Sequence, residues 1–342
     1  MGMGTYILRR VFQSIALVFV ILTINFTIIN LAPGSPVIFM AGQFGMASKE
    51  YVEAVIKRWG LDKPLWERLL IYFANLLRGD LGYSYRYLAP VSDLILERLP
   101  ITLFLTVTSA VLAFIIGSTL GLYAARHVGR KVDAALTTTM FVFWSTPSFW
   151  LGIILMIVFG IQLRILPVSG MINVRAGYTG VMYYLDIAYH AILPITTLTL
   201  IMMPQYFKIT RDAVLHQLKE DYVITFRAMG LRENELFRRH IFRNAILPPV
   251  TIFGLQLGYA AAGAVLIENV FGWPGMGRLL LDSILTRDYP VIMGIYLMIS
   301  ITVVFSILIV DLLYMLLAVS YTHLRAHETS LHLVCRLLLE KK

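Results

Sequence analysis

The chain has 342 residues, 58% of them hydrophobic and only 14% charged, where a soluble domain carries roughly 25% charged residues; it cannot coat a water-facing surface. Its single cysteine, Cys335, excludes an internal disulfide and a Cys-based zinc cage. The net charge of +9 fits the lysine and arginine excess that holds loops on the cytoplasmic side of a membrane, and no nucleic acid is expected as a partner.

A bilayer core of about 30 Å needs about 20 apolar residues in a helix. The first such run is Val11–Ala32. It is too long for a signal-peptide core and has no small-residue cleavage site after it, so it is expected to stay as an anchor. Tyr6 stands where N-myristoylation wants Ser or Thr.

Residues 33–100 are expected to form a helical region on the outer face. Val52, Val55, Ile56 and Trp59 recur at helical spacing with Gly60 as a stop. Pro64 opens a second amphipathic helix with Leu65, Leu69, Phe73 and Leu76 on one side, ended by Gly79. Ser92 is placed to cap a third, ending before Pro100.

Five more apolar runs follow, at Ile101–Ala124, Ala134–Ile161, Ala191–Phe207, Ala245–Ile267 and Pro290–Leu317. Residues 101–317 thus form a five-helix core after the first span, six spans in all. Only Ala191–Phe207 is ambiguous. It is short and carries Pro194 and Pro204, so it is expected either to break or to extend back through Tyr183–His190. Arg9 and Arg10, then Arg126, Arg130 and Lys131, then eight cations between Lys208 and Arg243 mark every second connection. The alternate connections hold Arg164 and Arg175, or Arg278 and Arg287. Both termini are accordingly assigned to the cytoplasm. Apolar periodicity stops near Leu317, and residues 318–342 read as an atypical, foreign or frame-shifted tail outside the functional unit.

Several chemistries lack their residues. No G-x-x-x-x-G-K-S/T loop occurs, and Gly272–Gly277 has neither the lysine nor a preceding strand, so it reads as a tight outer-face turn. His327-Glu328 is followed by Leu331 where a zinc-protease motif needs histidine, and His332 lies about 100° further round a helix. Glu268 and Asp311 are isolated carboxylates near span ends and read as structural anchors. No metal site, catalytic set, proton relay or inverted repeat is visible, which disfavours a membrane enzyme or an ion-coupled secondary transporter.

The connection 208–248 is the positive feature. Tyr222, Phe226 and Met229 recur at i, i+4 and i+7 before a break at Gly230 and are expected to form one uncovered apolar face. Its destination is either a partner groove or the lipid headgroups. Gly254 and Gly258 form G-x-x-x-G, with Gly263 beyond Ala260–Ala262; such glycines line a translocation path or pack helices closely.

The stretch D-Y-V-I-T-F-R-A-M-G then F-R-R-H-I-F-R-N-A-I-L-P, within residues 221–248, resembles the cytoplasmic loop of ABC-importer permeases. Seven other blocks match the dipeptide and oligopeptide permease family in order: L-A-P-G-S-P at 31–36, L-L-R-G-D-L-G-Y-S at 76–84, E-R-L-P at 97–100, P-S-F-W-L-G at 147–152, L-P-V-S-G at 166–170, H-A-I-L-P at 190–194, and E-N-V-F-G-W-P-G-M-G at 268–277 with R-D-Y-P-V at 287–291. The resemblance implies an all-α type I importer permease, the first permease of a pair. It implies a second homologous permease, two ABC ATPase subunits that bind ATP and magnesium, and an extracytoplasmic binding protein, assembled in a bacterial or archaeal inner membrane. This chain would bind no cofactor. Asp221, Tyr222, Phe226, Arg227, Ala228, Met229 and Gly230 would couple it to the ATPases. Phe226 and Met229 depart from the alanine and lysine usual there, which points to a different ATPase surface. Peptides are the implied cargo, with nickel, haem or glutathione as alternatives that related permeases carry.

Overall fold

Out of water, a segment must satisfy its own backbone N–H and C=O groups, and a helix does so within itself. In the computed structural model, which describes residues 3–31, 62–84 and 86–309, the apolar runs are helical. The helices are α1 (Met3–Leu31), α2 (Leu65–Leu77) and α3 (Val91–Arg126). Then come α4 (Lys131–Ser145), α5 (Ser148–Gln162), α6 (Val181–Gln217) and α7 (Asp221–Ala228). The chain continues through α8 (Glu233–Ala262), α9 (Val265–Val270), α10 (Met276–Thr286) and α11 (Tyr289–Ile309). Helices α1, α3, α6, α8 and α11 are long and apolar enough to cross a membrane, and α4 with α5 makes a sixth span when the bent pair counts as one. No β-strand occurs among the described residues.

Three boundaries differ from the sequence reading, and one ambiguity is resolved. The run Ala134–Ile161, read as a plain span, bends by 102° between α4 and α5. Pro147 forces the preceding Thr146 out of the helical region, to φ −83° and ψ 127°. The ambiguous run follows the second of its two alternatives: α6 is unbroken through Pro194 and Pro204, both buried, extends back through Tyr183–His190 to Val181, and runs on past Phe207 to Gln217. The helix expected to end before Pro100 also continues; α3 starts after Pro90, with no side-chain cap from Ser92, and runs through to Arg126. It therefore crosses the boundary drawn at residue 100. Finally, α8 stops at Ala262 because Gly263 takes φ +73°, and Ile267 belongs to α9.

The helix at Val52–Trp59, the L-A-P-G-S-P block beyond Leu31, Asp311 and the tail 318–342 lie outside the described residues.

Helices α3 and α6 form the centre and run side by side in the same direction. Leu105 packs with Ala191 and Leu193 near one end, Ala113 with Met203 and Tyr206 midway, and Ala125 with Val214 at the other. Two glycines of α3 let the backbones touch. A Cβ on Gly117 would lie 2.5 Å from the Met203 carbonyl oxygen, and one on Gly121 would lie 2.5 Å from that of Phe207. Gly117 and Gly121 carry the same G-x-x-x-G spacing as Gly254 and Gly258. Gly258 packs inside the chain, where a Cβ would lie 2.7 Å from the Ser306 Cβ on α11; Gly254 is half-buried.

Candidate functional site

The end of the bundle where α3 and α6 finish carries the basic connections and is called here the basic end. Helix α7 lies there. Its dipole is matched by Asp221 in the first turn and Arg227 in the last. It stops in a Schellman arrangement, in which the Leu231 N–H donates to the Phe226 carbonyl (3.1 Å) and the Gly230 N–H to the Arg227 carbonyl (3.0 Å). That closure needs a left-handed residue, and Gly230 supplies it at φ +79°.

The underside of α7 is seated on the bundle. Val223 is fully buried in a cluster with Val214 of α6, Ala125 of α3, and Leu236, Ile241 and Ala245 of α8. Tyr222 and Phe226 pack against the same cluster. The Tyr222 hydroxyl donates to Gln217 Oε1 at 2.7 Å, and the Phe226 ring lies 4.3 Å from that of His240. The Arg126 guanidinium covers the Phe237 ring at 3.8 Å, within cation–π range. The expectation of one uncovered face through Tyr222, Phe226 and Met229 is thus corrected. The first part of α8 folds back after Gly230 and covers the two aromatics.

The outward side is a different stripe. Asp221, Ile224, Thr225 and Ala228 recur at i, i+3, i+4 and i+7, all exposed, and Met229 continues them. Ile224 is 60% and Met229 69% exposed. Beside the stripe, Arg227 Nε donates to Glu233 Oε1 at 2.7 Å and Nη2 to Oε2 at 3.3 Å. This hydrogen-bonded carboxylate raises the Arg227 guanidinium further above its ordinary value, so it stays charged. The pair is exposed and contributes geometry more than stability. Nearby, Arg211 of α6 grips Asp133 of α4 through two hydrogen bonds of 2.8 and 2.9 Å, and the Gly129 N–H adds a third at 3.2 Å. Bidentate pairing of this kind fixes geometry as well as charge.

At the far end, segments widely separated in sequence converge. The Glu268 carboxylate is fully buried. It accepts from the Thr102 hydroxyl at 2.9 Å, from the Arg278 N–H at 3.0 Å and from the Gly277 N–H. Thr102 Oγ1 in turn accepts the Met276 N–H at 2.7 Å. The first three residues of α10 therefore find their acceptors on α3 and α9, satisfying donors that a helix start leaves open. Small residues make room for the carboxylate. Cβ atoms on Gly263 and Gly275 would lie 2.9 and 2.5 Å from its oxygens.

Trp273, fully buried, donates its indole N–H toward the Ile101 carbonyl at 3.4 Å. The Phe271 carbonyl accepts from Gly170 at 2.8 Å, and the Phe271 ring meets Gly152 on α5. Arg98 reaches the Pro274 carbonyl at 3.5 Å. The Ser84 hydroxyl donates to the buried Asp288, which also accepts the Arg86 N–H at 3.2 Å. Thus the blocks at 76–84, 97–100, 147–152, 166–170, 190–194 and 268–291 meet in one assembly. Glu268 is an anchor of that assembly. The sequence reading did not find its partner Thr102, the Arg211–Asp133 pair or the Ser84–Asp288 link, because each joins residues far apart in the chain.

Residues 117–322 match the family described as binding-protein-dependent transport system inner membrane component, and residues 3–106 match its N-terminal membrane-component model. The oligopeptide transport system permease protein AppB of Bacillus subtilis is 37% identical over 314 residues, 91% of this chain and 97% of its own. The dipeptide transport system permease protein DppB of Escherichia coli K12 is 34% identical over 326 residues, 90% of this chain and 96% of its own. The glutathione transport system permease protein GsiC of the same strain is 36% identical over 312 residues, with 91% and 97% covered. A solved inward-facing MetNI methionine ABC transporter overlaps 65% of this chain and 95% of its own at a TM-score of 0.49 and 17% identity.

Proposed function

Because the chain belongs to the binding-protein-dependent transport system inner membrane component family, we propose that it is one permease subunit of an ATP-driven importer of peptides. The cargo reading is supported by the relatives, which carry oligopeptides and dipeptides. Glutathione, the cargo of the third, is itself a small peptide, and importing it is the second reading. Nickel and haem have no counterpart among these relatives.

The observation that carries the mechanism is the two-sided build of α7. Its inner side is seated through Val223 on α3, α6 and α8; its outer side leaves Ile224, Thr225, Ala228 and Met229 uncovered. A push on that outer side reaches the central helix pair without passing through a flexible link. In our reading the basic end faces the cytoplasm, in keeping with its arginines, and the outer stripe of Asp221–Met229 sits in a groove of an ABC ATPase subunit. Arg227 and Glu233 brace the turn at Gly230. ATP-driven closure of two such ATPases would move α7, and with it α3 and α6, as a rigid body.

The chain needs a second homologous permease, two ATPases holding ATP and magnesium, and an extracytoplasmic binding protein. The path would run between the two permeases near the Gly263 break, while Gly258 serves packing onto α11. Co-expression tests the partner assignment. The chain alone should turn over no ATP and should co-purify with an ATPase pair when the second permease is present; ATP turnover by the chain alone would contradict it.

A further inference from the structure

Helix α2 is apolar on both sides. One side carries Leu69, Tyr72, Phe73 and Leu76, which pack on a cluster of Leu22 and Phe26 from α1 with Met293 and Leu297 from α11. The other side carries every exposed position of the helix, namely Leu65, Trp66, Leu70, Ile71, Ala74 and Leu77. Trp66 is 66%, Leu70 60% and Leu77 78% exposed. A helix covering the end of a membrane protein in water would show polar residues there; on α2 the polar residues Glu67, Arg68 and Asn75 are half-buried and every exposed position is apolar.

Its position along the two spans supplies the second observation. The Phe73 ring lies 5.0 Å from Phe19, and the Tyr72 ring 6.0 Å from Phe26. At about 1.5 Å per residue, Phe19 and Phe26 lie roughly 18 and 8 Å from the Leu31 end of α1. Met293 and Leu297 lie roughly 6 and 12 Å from the Tyr289 start of α11. One leaflet of hydrocarbon is about 15 Å deep. Three of these four depths fall within one leaflet, so helix α2 lies beside the spans instead of above their ends. Its charges gather at its start, where Lys63 and Glu67 pair at 2.7 Å with Arg68 the next residue, and at Arg78 just past its end; side chains of this length reach a headgroup layer.

We infer that α2 is seated in the outer leaflet and that its Trp66–Leu70–Leu77 side is an interaction surface for phospholipid acyl chains. It braces the α1–α11 pair from the lipid side. The inference rests on the multi-pass reading and not on the cargo, so a failed uptake assay leaves it standing.

Spin labelling of the assembled transporter in phospholipid nanodiscs tests it. Cys335→Ser removes the native cysteine, and Trp66→Cys or Leu70→Cys carries the nitroxide; Tyr83→Cys, in the loop beyond α2, is the water-facing control. Relaxation by dissolved oxygen, which concentrates among acyl chains, is expected to exceed relaxation by a water-soluble nickel chelate at both helix positions. The order should reverse at position 83. Nickel exceeding oxygen on the helix would place the surface in water and overturn the inference. Loss of both responses would place it under another protein chain, such as the second permease, and overturn it equally. Two independent label sites keep the test decisive should one variant fail to assemble.

Discussion

The hydroxyl of Thr102 donates to the carboxylate of Glu268 at 2.9 Å while accepting the N–H of Met276 at 2.7 Å, so two side chains from different helices together start a third. Glu268 completes the arrangement by accepting from Gly277 and Arg278. A buried carboxyl in a transporter invites a reading as a proton or ion site. Here its oxygens are occupied by helix-start donors, and its role is to hold the far-end assembly together.

That assignment predicts the outcome of Glu268→Gln. The variant keeps the shape but turns one acceptor into an amide that faces backbone donors. A buried donor left without an acceptor costs about 1–3 kcal/mol. Thermal unfolding in detergent should show a loss of that order, and Thr102→Val should lose a similar amount. A proton-site role would instead leave stability unchanged and alter the pH dependence of uptake.

The two sides of α7 predict opposite phenotypes for neighbouring residues. Ile224→Asp and Met229→Asp alter only the outward stripe. They should leave insertion and thermal stability as they are while abolishing co-purification of the ATPases. Phe226→Asp places a charge against His240 and the Val223 cluster, and should lower stability by about 1–3 kcal/mol before any partner is involved. Limited proteolysis at the 208–248 connection distinguishes the two classes.

Gly230 has open space around the position of a Cβ but holds φ at +79°. Substitution there is limited by the backbone, not by a clash. Gly230→Ala should destabilise the end of α7 by about 1–2 kcal/mol, whereas Gly230→Asn should cost less, since asparagine tolerates the left-handed region. Amide hydrogen exchange at Leu231, whose N–H closes the cap, reports the difference.

The α3–α6 contact predicts a steric failure. Gly121→Val would drive a side chain into the Phe207 carbonyl and the Thr210 Cβ, and overpacking of this kind costs about 1–3 kcal/mol or more. The folded fraction after detergent extraction should fall. Gly129→Val, in the turn after α3 with nothing near its Cβ, gives a useful contrast: strained at φ +78°, but with no helix pair forced apart.

The spans were legible because a bilayer demands about 20 apolar residues in a row, and that demand is local. Their breaks were not. Pro100, Pro194 and Pro204 all pass within continuous helices, while Pro147 divides α4 from α5. What differs is tertiary: the turn at Thr146 brings Gly152 against Phe271, and no window of sequence contains both. The position of α7 and its stop at Gly230 could be read from spacing and residue type. Which of its sides is covered could not, because the cover arrives from Leu236, Phe237 and His240 after the chain has turned. The close-approach glycines carry the same spacing at 117 and 121 as at 254 and 258. Only the backbone partner at Met203 and Phe207 shows how tightly the first pair approaches its neighbour.

The most direct measurement is ATP-dependent accumulation of a labelled dipeptide or oligopeptide in proteoliposomes. These would hold this chain, its second permease and the ATPase pair, with the binding protein supplied on the substrate side. Accumulation should require ATP and the binding protein, and should vanish with Ile224→Asp although the complex components remain inserted. Undiminished, ATP-driven uptake by the Ile224→Asp protein would contradict entry of the driving force through α7.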